Sequence, residues 1–500
     1  MLFNSIDFLL FFPIVLIVYF LVPIKIRKYI LLIASYYFYM CWNPKYVVLI
    51  MISTISTWFF AILIERVKEG GKKLSHSKII LIVAISVNLS LLGFFKYYSF
   101  VFNTFSSIIS HFNISIKASS FDIILPVGIS FYTFQALSYV IDVYRGDITA
   151  ERNILQYALF VSFFPQLVAG PIEKSSNLLK QIQINDREVR FDTKRVVSGM
   201  KLMLFGYFLK MVIADRVAIY VNSVFENYNM YNSSILIVAS IFFAFQIYCD
   251  FNSYSLIAKG SARILGYELM DNFDAPYFSQ SVSEFWRRWH ISLNRWFVDY
   301  LYIPLGGGRV KYWKGFLNIL IVFSLSGLWH GASWTYVLWG IINGFYLIVE
   351  RITSPLMEKI NEMLHTKKES FSYYLLRTIK TFVLVDVAWI FFRATTISDA
   401  INIIKRIFLR WDPWSFNGNI NNLLPIGVDA YEMRLSFFYI AILFIIDAIK
   451  YYKNESLERF LSKQCLWFEW GAYLFLLLSI LVFGVYGSNF QSVEFLYFQF

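Results

Sequence analysis

Two histidines stand where an ionisable ring is least expected. His330 lies in "SGLWHGASW" (326–334), between tryptophans and small residues, inside an apolar stretch running from Phe316 to Val349. His290 lies in "EFWRRWHISL" (284–293), beside Trp286, Arg287 and Arg288. The other three histidines of five, His76, His111 and His365, fall in polar, loop-like sequence. Burial disfavours a charged imidazolium, and a neutral imidazole with a reference pKa near ~6.5 can take a proton from an attacking hydroxyl. Because ionisable groups inside a bilayer are costly and mark sites or pathways, these two positions suit general base chemistry at membrane depth. The alternative is structural: His330 bonding a neighbouring helix, and His290 doing the same nearer an interface.

Around them the sequence offers supporting groups. Gly327, Gly331, Ala332 and Ser333 leave space for a second backbone or a ligand beside His330. If "EFWRRWH" is helical, Glu284 and Arg288 pair at i, i+4 while Trp286 and His290 share a face. The run "LYIPLGGGRVKYWKG" could hold an anionic cofactor through Arg309, Lys311, Lys314 and glycine amides, or be an ordinary cytoplasmic turn. It lacks the Walker spacing of a nucleotide-hydrolysing site. In "YCDFNSYSLIAKGSARILGY", Asp250 reads either as a helix cap or as a site residue. Pro126, Gly128, Gln135 and Asp142 interrupt one apolar segment, as a re-entrant or pore-lining element would, and Pro165 and Pro171 break another. Such breaks are expected to shape a cavity rather than to catalyse. Cys41, Cys249 and Cys465 form no CxxC and predict neither a disulfide framework nor a metal site.

The elements that must position these groups are membrane helices. Of 500 residues, 58% are hydrophobic, 20% aromatic and 16% charged, far from the ~45–50% apolar and ~25% charged balance of soluble domains. Mean hydropathy is +0.56. Apolar runs near 6–22, 29–42, 46–64, 79–95, 154–169, 197–214, 233–249, 316–329, 332–349, 378–393, 435–449 and 468–486, with broken segments near 123–143 and 285–303, predict an all-α polytopic bundle around a central cavity. The total is roughly 11–14 membrane-embedded elements. The first twenty residues lack the basic start and cleavage site of a signal peptide and read as a retained span. Basic "PIKIRK", "ERVKEGGKKLSHSK", "EKSSNLLKQIQINDREVRFDTKR" and the 450–463 segment are assigned to the cytoplasm, and the weakly charged "NPK" and 97–121 to the outside, which puts the N-terminus outside. The net charge of +12 is then loop charge facing anionic lipid, not a nucleic-acid surface. There is no evident internal repeat, which argues against a secondary transporter.

Six segments in order, "PVGISFYTFQALSYVIDVYRG", "FFPQLVAGPIEK", "YCDFNSYSLIAKGSARILGY", "EFWRRWHISL", "DYLYIPLGG" and "GLWHGASWTYVLWG", resemble the membrane-bound O-acyltransferase family, in its bacterial alginate O-acetyltransferase-like branch. The resemblance spans most of the chain, from the N-terminal span to the terminal "EFLYFQF". It implies one domain over 1–500, with N-terminal spans to 120, a motif-bearing core over 121–350 and C-terminal spans over 351–500. It also implies a ring of helices around a thinned centre, with a funnel from the cytoplasm meeting one from outside.

By the same resemblance, His330 is the catalytic base and His290 the second active-site residue. The candidate substrate contacts are Trp286, Trp329, Asp250, Arg287, Arg288, Arg309 and Lys311, with the basic residues on the phosphates of the co-substrate acetyl-CoA. No bound cofactor is implied. The acetyl group would pass, in a bacterial inner membrane, towards hydroxyls of an extracytoplasmic polysaccharide, alginate-like or another cell-surface glycan, with a separate extracytoplasmic acetyltransferase as partner. Two rivals stay open at this point: an acyltransferase acting on a lipid or protein, and a non-enzymatic transporter of polysaccharide precursors.

Overall fold

A computed structural model describes residues 1–71, 74–112, 125–486 and 495–496. Part of the expected outer stretch 97–121, the start of the segment near 123–143 and most of the terminal "EFLYFQF" lie outside the described residues. Among those described, every regular element is helical, as lipid requires of a spanning chain.

Five helical stretches are long and apolar enough to cross a bilayer: Pro44–Glu69, Ser75–Ser110, Thr193–Glu226, Ser233–Leu265 and Leu466–Phe483. Their outward side chains are lipid-like, with Ile55, Val83, Leu477 and Leu481 exposed. The protein is a multi-pass membrane protein. Other apolar runs form helices that are shorter or carry more charge, such as Ile6–Leu21, Ile24–Met40 and Phe371–Arg393. The run near 154–169 is the clearest departure: its helix, Ile154–Ser162, stops ahead of Pro165, and residues 164–169 form turns. Proline has no N–H to donate and disfavours helix in the residue before it.

The chain forms two compact units. The first comprises Met1–Met200 and Ile257–Met270. The helix Ile129–Arg145 is its most deeply buried element. Gln135, expected to interrupt that segment, is instead accommodated within it: its amide donates to the Phe160 carbonyl at 2.7 Å. The interruption falls earlier, at Gly128, whose φ of +76° starts the helix and whose missing Cβ would meet the Leu167 carbonyl at 2.8 Å.

The second unit comprises Lys201–Leu256 and Asp271–Phe500 and holds both histidines of interest. Its central feature is a hairpin of Tyr312–His330 and Trp334–Met363, joined by three residues, with Ser333 capping the second helix through the Thr335 amide. The two backbones are nearly in contact. A Cβ on Gly327 would lie 2.1 Å from the Tyr336 carbonyl oxygen, and one on Gly340 would lie 2.1 Å from that of Phe323. Gly331 likewise faces the Tyr336 ring, where a Cβ would come within 2.2 Å. The small residues around His330 therefore admit a neighbouring helix, the packing that glycine permits in membranes.

This spacing predicts opposite outcomes for two formally similar substitutions. Gly340→Ala forces backbone apart and should cost about 1–3 kcal/mol, whereas Gly471→Ala, with nothing within 4 Å, should stabilise its helix by roughly 0.5–1 kcal/mol. Thermal unfolding of the detergent-purified protein should show a lowered midpoint for the first and an unchanged or raised one for the second.

Candidate active site

His290 sits at a break in the chain. The helix Val282–Arg288 ends just before it, the helix Ile291–Phe297 begins just after it, and His290 itself has φ +42°. This left-handed conformation is uncommon for a residue with a Cβ and must be held by its surroundings. It is held from both sides by one segment. The Asp274 amide donates to the Arg288 carbonyl at 3.0 Å, and the Ile291 amide to the Asn272 carbonyl at 2.9 Å. The Ser292 hydroxyl donates to Asn272 Oδ1 at 2.6 Å, while the Asn272 amide donates to Ser255 Oγ at 3.1 Å. Residues 272–274 thus brace the strained junction on either side of the imidazole.

The expected Glu284–Arg288 pair forms, at 3.0 Å. Arg288 also reaches the Asp274 carboxylate at 2.6 Å and lies over the Tyr451 ring at 4.7 Å. Its guanidinium is committed to this brace. The helix does not continue to His290, so Trp286 and His290 do not share a helical face, yet the turn brings both to one cavity of about 20 Å³. That cavity is also lined by Asn294, Phe323 and Ser326 and is large enough for about one water molecule.

His330 is the last residue of its helix. Its ring meets Trp339 edge to face at 5.1 Å, Phe392 at 5.5 Å and Trp329 at 5.1 Å between centroids. Trp339 stacks on Trp389 at 5.4 Å, and Trp389 packs on Trp289 at 5.0 Å, which joins the two histidine-bearing segments through aromatic contact. The imidazoles of His290 and His330 lie 6.2 Å apart, both buried. That is the scale of two hydrogen-bond lengths, so one small group between the rings could be reached by both.

Asp250 is not a cap. It lies inside the helix Ser233–Leu265, where its Oδ1 accepts from Lys210 at 2.6 Å and its Oδ2 from the Leu496 amide at 2.8 Å. Lys210, in the π turn Leu209–Ala214, also pairs with Asp215 at 2.9 Å, so Asp250 belongs to a buried ionic cluster centred on that lysine. Arg287, Arg309, Lys311 and Lys314 are exposed. Lys311 and His330 lie at opposite ends of one helix, about 27 Å apart along its axis. Phe251, whose ring meets that of His290 edge to face at 4.5 Å, joins Trp339, Trp389, Phe392 and Asn272 as residues with no sequence signal, because nothing separates a site aromatic from a packing one except its neighbours in space. Asn294, four residues after His290, carried a usable signal as a polar residue in an aromatic run.

Two buried imidazoles thus face each other in an aromatic shell within a multi-pass helical membrane protein. The membrane-bound O-acyltransferase family model matches residues 149–392, a span that contains both histidines and ends at the Phe392 ring against which His330 packs. The chain is 34% identical to the probable alginate O-acetylase of Pseudomonas putida over 455 residues, 91% of this chain and 89% of that one. It is 32% identical to the peptidoglycan O-acetyltransferase of Helicobacter pylori, covering 94% and 91% respectively. A teichoic acid D-alanyltransferase of Bacillus subtilis is 24% identical over 43% of this chain and 56% of its own. The chain belongs to the membrane-bound O-acyltransferase family and is an O-acyltransferase.

The brace around His290 makes a test of its backbone possible. Asn tolerates the left-handed region and a β-branched side chain of similar size does not. His290→Val should therefore unfold at a lower temperature than His290→Asn, by the equivalent of about 1–3 kcal/mol. Equal midpoints would show that the conformation at 290 carries no strain.

Proposed function

We propose that the protein moves an acetyl group from cytoplasmic acetyl-CoA towards hydroxyls of an extracytoplasmic polysaccharide, with His330 as general base. The observation that carries this reading is the pair of buried imidazoles 6.2 Å apart inside the segment matched by the family. In the step proposed, His330 takes the proton of the acceptor hydroxyl as its oxygen attacks the thioester carbonyl. The carbon–sulfur bond then breaks and the departing thiolate recovers that proton, leaving an ester and free CoA. General base help of this kind is typically worth ~10²–10⁴ in rate. His290, across the gap, orients the acceptor or polarises the carbonyl, a role supported by its bracing through Asn272 and Ser292.

The relatives acting on alginate and on peptidoglycan, by name, support a glycan as final acceptor. An extracytoplasmic acetyltransferase that receives the group fits a centre buried in the membrane and out of reach of a polymer. The loop charges support an inner-membrane protein whose N-terminus faces outward. On the donor side, Arg287, Arg309, Lys311 and Lys314 are exposed and basic, and the phosphates of CoA are suited to charge-assisted bonds with such residues. A donor bound at the start of the Tyr312–His330 helix would have to reach along it with an extended arm.

His330→Ala should abolish acetyl transfer without loss of protein from the membrane. His290→Ala, His330→Ala together should be about as inactive as His330→Ala alone, because residues acting as a unit are not additive. Losses that multiply, in an assay sensitive enough to see residual turnover, would place the two rings in separate tasks.

The basic residues divide in the same way. Neutralising Arg287, Arg309 and Lys311 together should raise the apparent KM for acetyl-CoA severalfold with little change in thermal midpoint. Arg288→Ala, which unties Glu284 and Asp274, should instead lower the midpoint.

A further inference from the structure

The second unit contains a larger cavity, about 560 Å³, away from the histidines in sequence and in lining. Its wall carries Arg216, Tyr220, Asp429, Tyr431, Glu432 and Tyr486. Ligand sites for small molecules fall in the range of ~300–1,000 Å³, so this volume suits one or two sugar units. Arg216 is buried, 6% exposed, and pairs with Glu432 and the Phe483 carbonyl. Its Nε–H, also buried, has no acceptor among the described residues. A buried donor in that state is destabilising unless a ligand or water oxygen takes it. Tyr431 and Tyr486 are half exposed, at 54% and 50%, and line the cavity.

The charge of the wall discriminates between ligands. Among the described lining residues, Arg216 contributes one positive charge against the carboxylates of Asp429 and Glu432, a net negative balance that disfavours a polyanion. Carboxylate acceptors, an arginine donor and tyrosine rings together match the hydroxyls and apolar ring faces of an uncharged sugar. The position is also apt. The helix Ala430–Lys453 ends at the basic 450–463 segment and Leu466–Phe483 begins just beyond it. The cavity lies at the other ends of both helices, the extracytoplasmic ends if the basic segment is inside.

We propose that this cavity binds a neutral saccharide unit of the extracytoplasmic glycan, a docking site that holds the final acceptor at the outer face rather than at the buried centre, and that rests on the acetyl-transfer reading given above. Purified full-length protein in nanodiscs would be titrated calorimetrically with the N-acetylglucosamine trimer and, separately, with the mannuronate trimer. The neutral trimer should bind. Tyr431→Ala, at an exposed ring, and Asp429→Asn, which keeps a residue able to cap the Ala430–Lys453 helix, should each weaken it about tenfold, and Arg216→Lys, which keeps the charge but removes the Nε–H, should do likewise.

His330→Ala should bind the neutral trimer like the wild type, so that loss of transfer and loss of sugar binding are read separately. Equal or tighter binding of the mannuronate trimer would overturn the proposal, as would neutral-sugar binding indifferent to both surface substitutions. It would also fall if neither trimer bound, or if native mass spectrometry found a phospholipid held by the wild type and released by Tyr431→Ala.

Discussion

The approach of two backbones at Gly327 and Gly340 is the constraint on which the arrangement around His330 depends. With the Phe323 carbonyl against Gly340 and the Tyr336 carbonyl against Gly327, the second helix of the hairpin is fixed in height and rotation relative to the first. Trp339, adjacent to Gly340, is thereby placed under the His330 ring, and Trp389 stacks beneath Trp339. Without a hydrophobic force between helices in lipid, close packing of this kind is what drives their association. A methyl group at either glycine would move the aromatic floor of the site before it touched the imidazole.

His290 is held by different means. Its segment is too irregular for ridge-and-groove packing, and hydrogen bonds accepted by Asn272 and donated by the Asp274 amide replace it. The brace is polar and buried, and Arg288 adds ionic bonds to Glu284 and Asp274 at its edge. Removing one partner from such a network leaves others unsatisfied, so its members stand or fall together. One ring is therefore positioned by contact and the other by hydrogen bonding, across a gap of 6.2 Å between centroids.

Much of this was legible from residue type and spacing. Most of the apolar runs became helices, and Glu284 and Arg288 paired as an i, i+4 spacing requires. His290 and His330 were singled out because a polar ring in apolar sequence is conspicuous. Backbone geometry was less legible: the left-handed turn at 290 sits on a histidine, where a glycine or asparagine would have signalled it. Asp250 reads equally as a helix cap or as a site residue because the apolar run weakens after it, but the helix continues to Leu265 through residues whose polarity is satisfied inside the protein. Trp389 and Phe392 lie some sixty residues from His330, and no local pattern relates them.

The ionic cluster at Asp250 has a consequence for the order in which the protein is made. Lys210 and Asp215 are close to Asp250 along the chain, but the amide that occupies its second oxygen belongs to Leu496, 246 residues later. During synthesis this carboxylate must wait in the membrane, or stay in contact with water, until nearly all the remaining sequence has left the ribosome. The nascent protein then carries this carboxylate without its final partner for about half of its production. Final closure of the second unit is a late, non-local event, the kind of pairing that slows folding and leaves intermediates exposed.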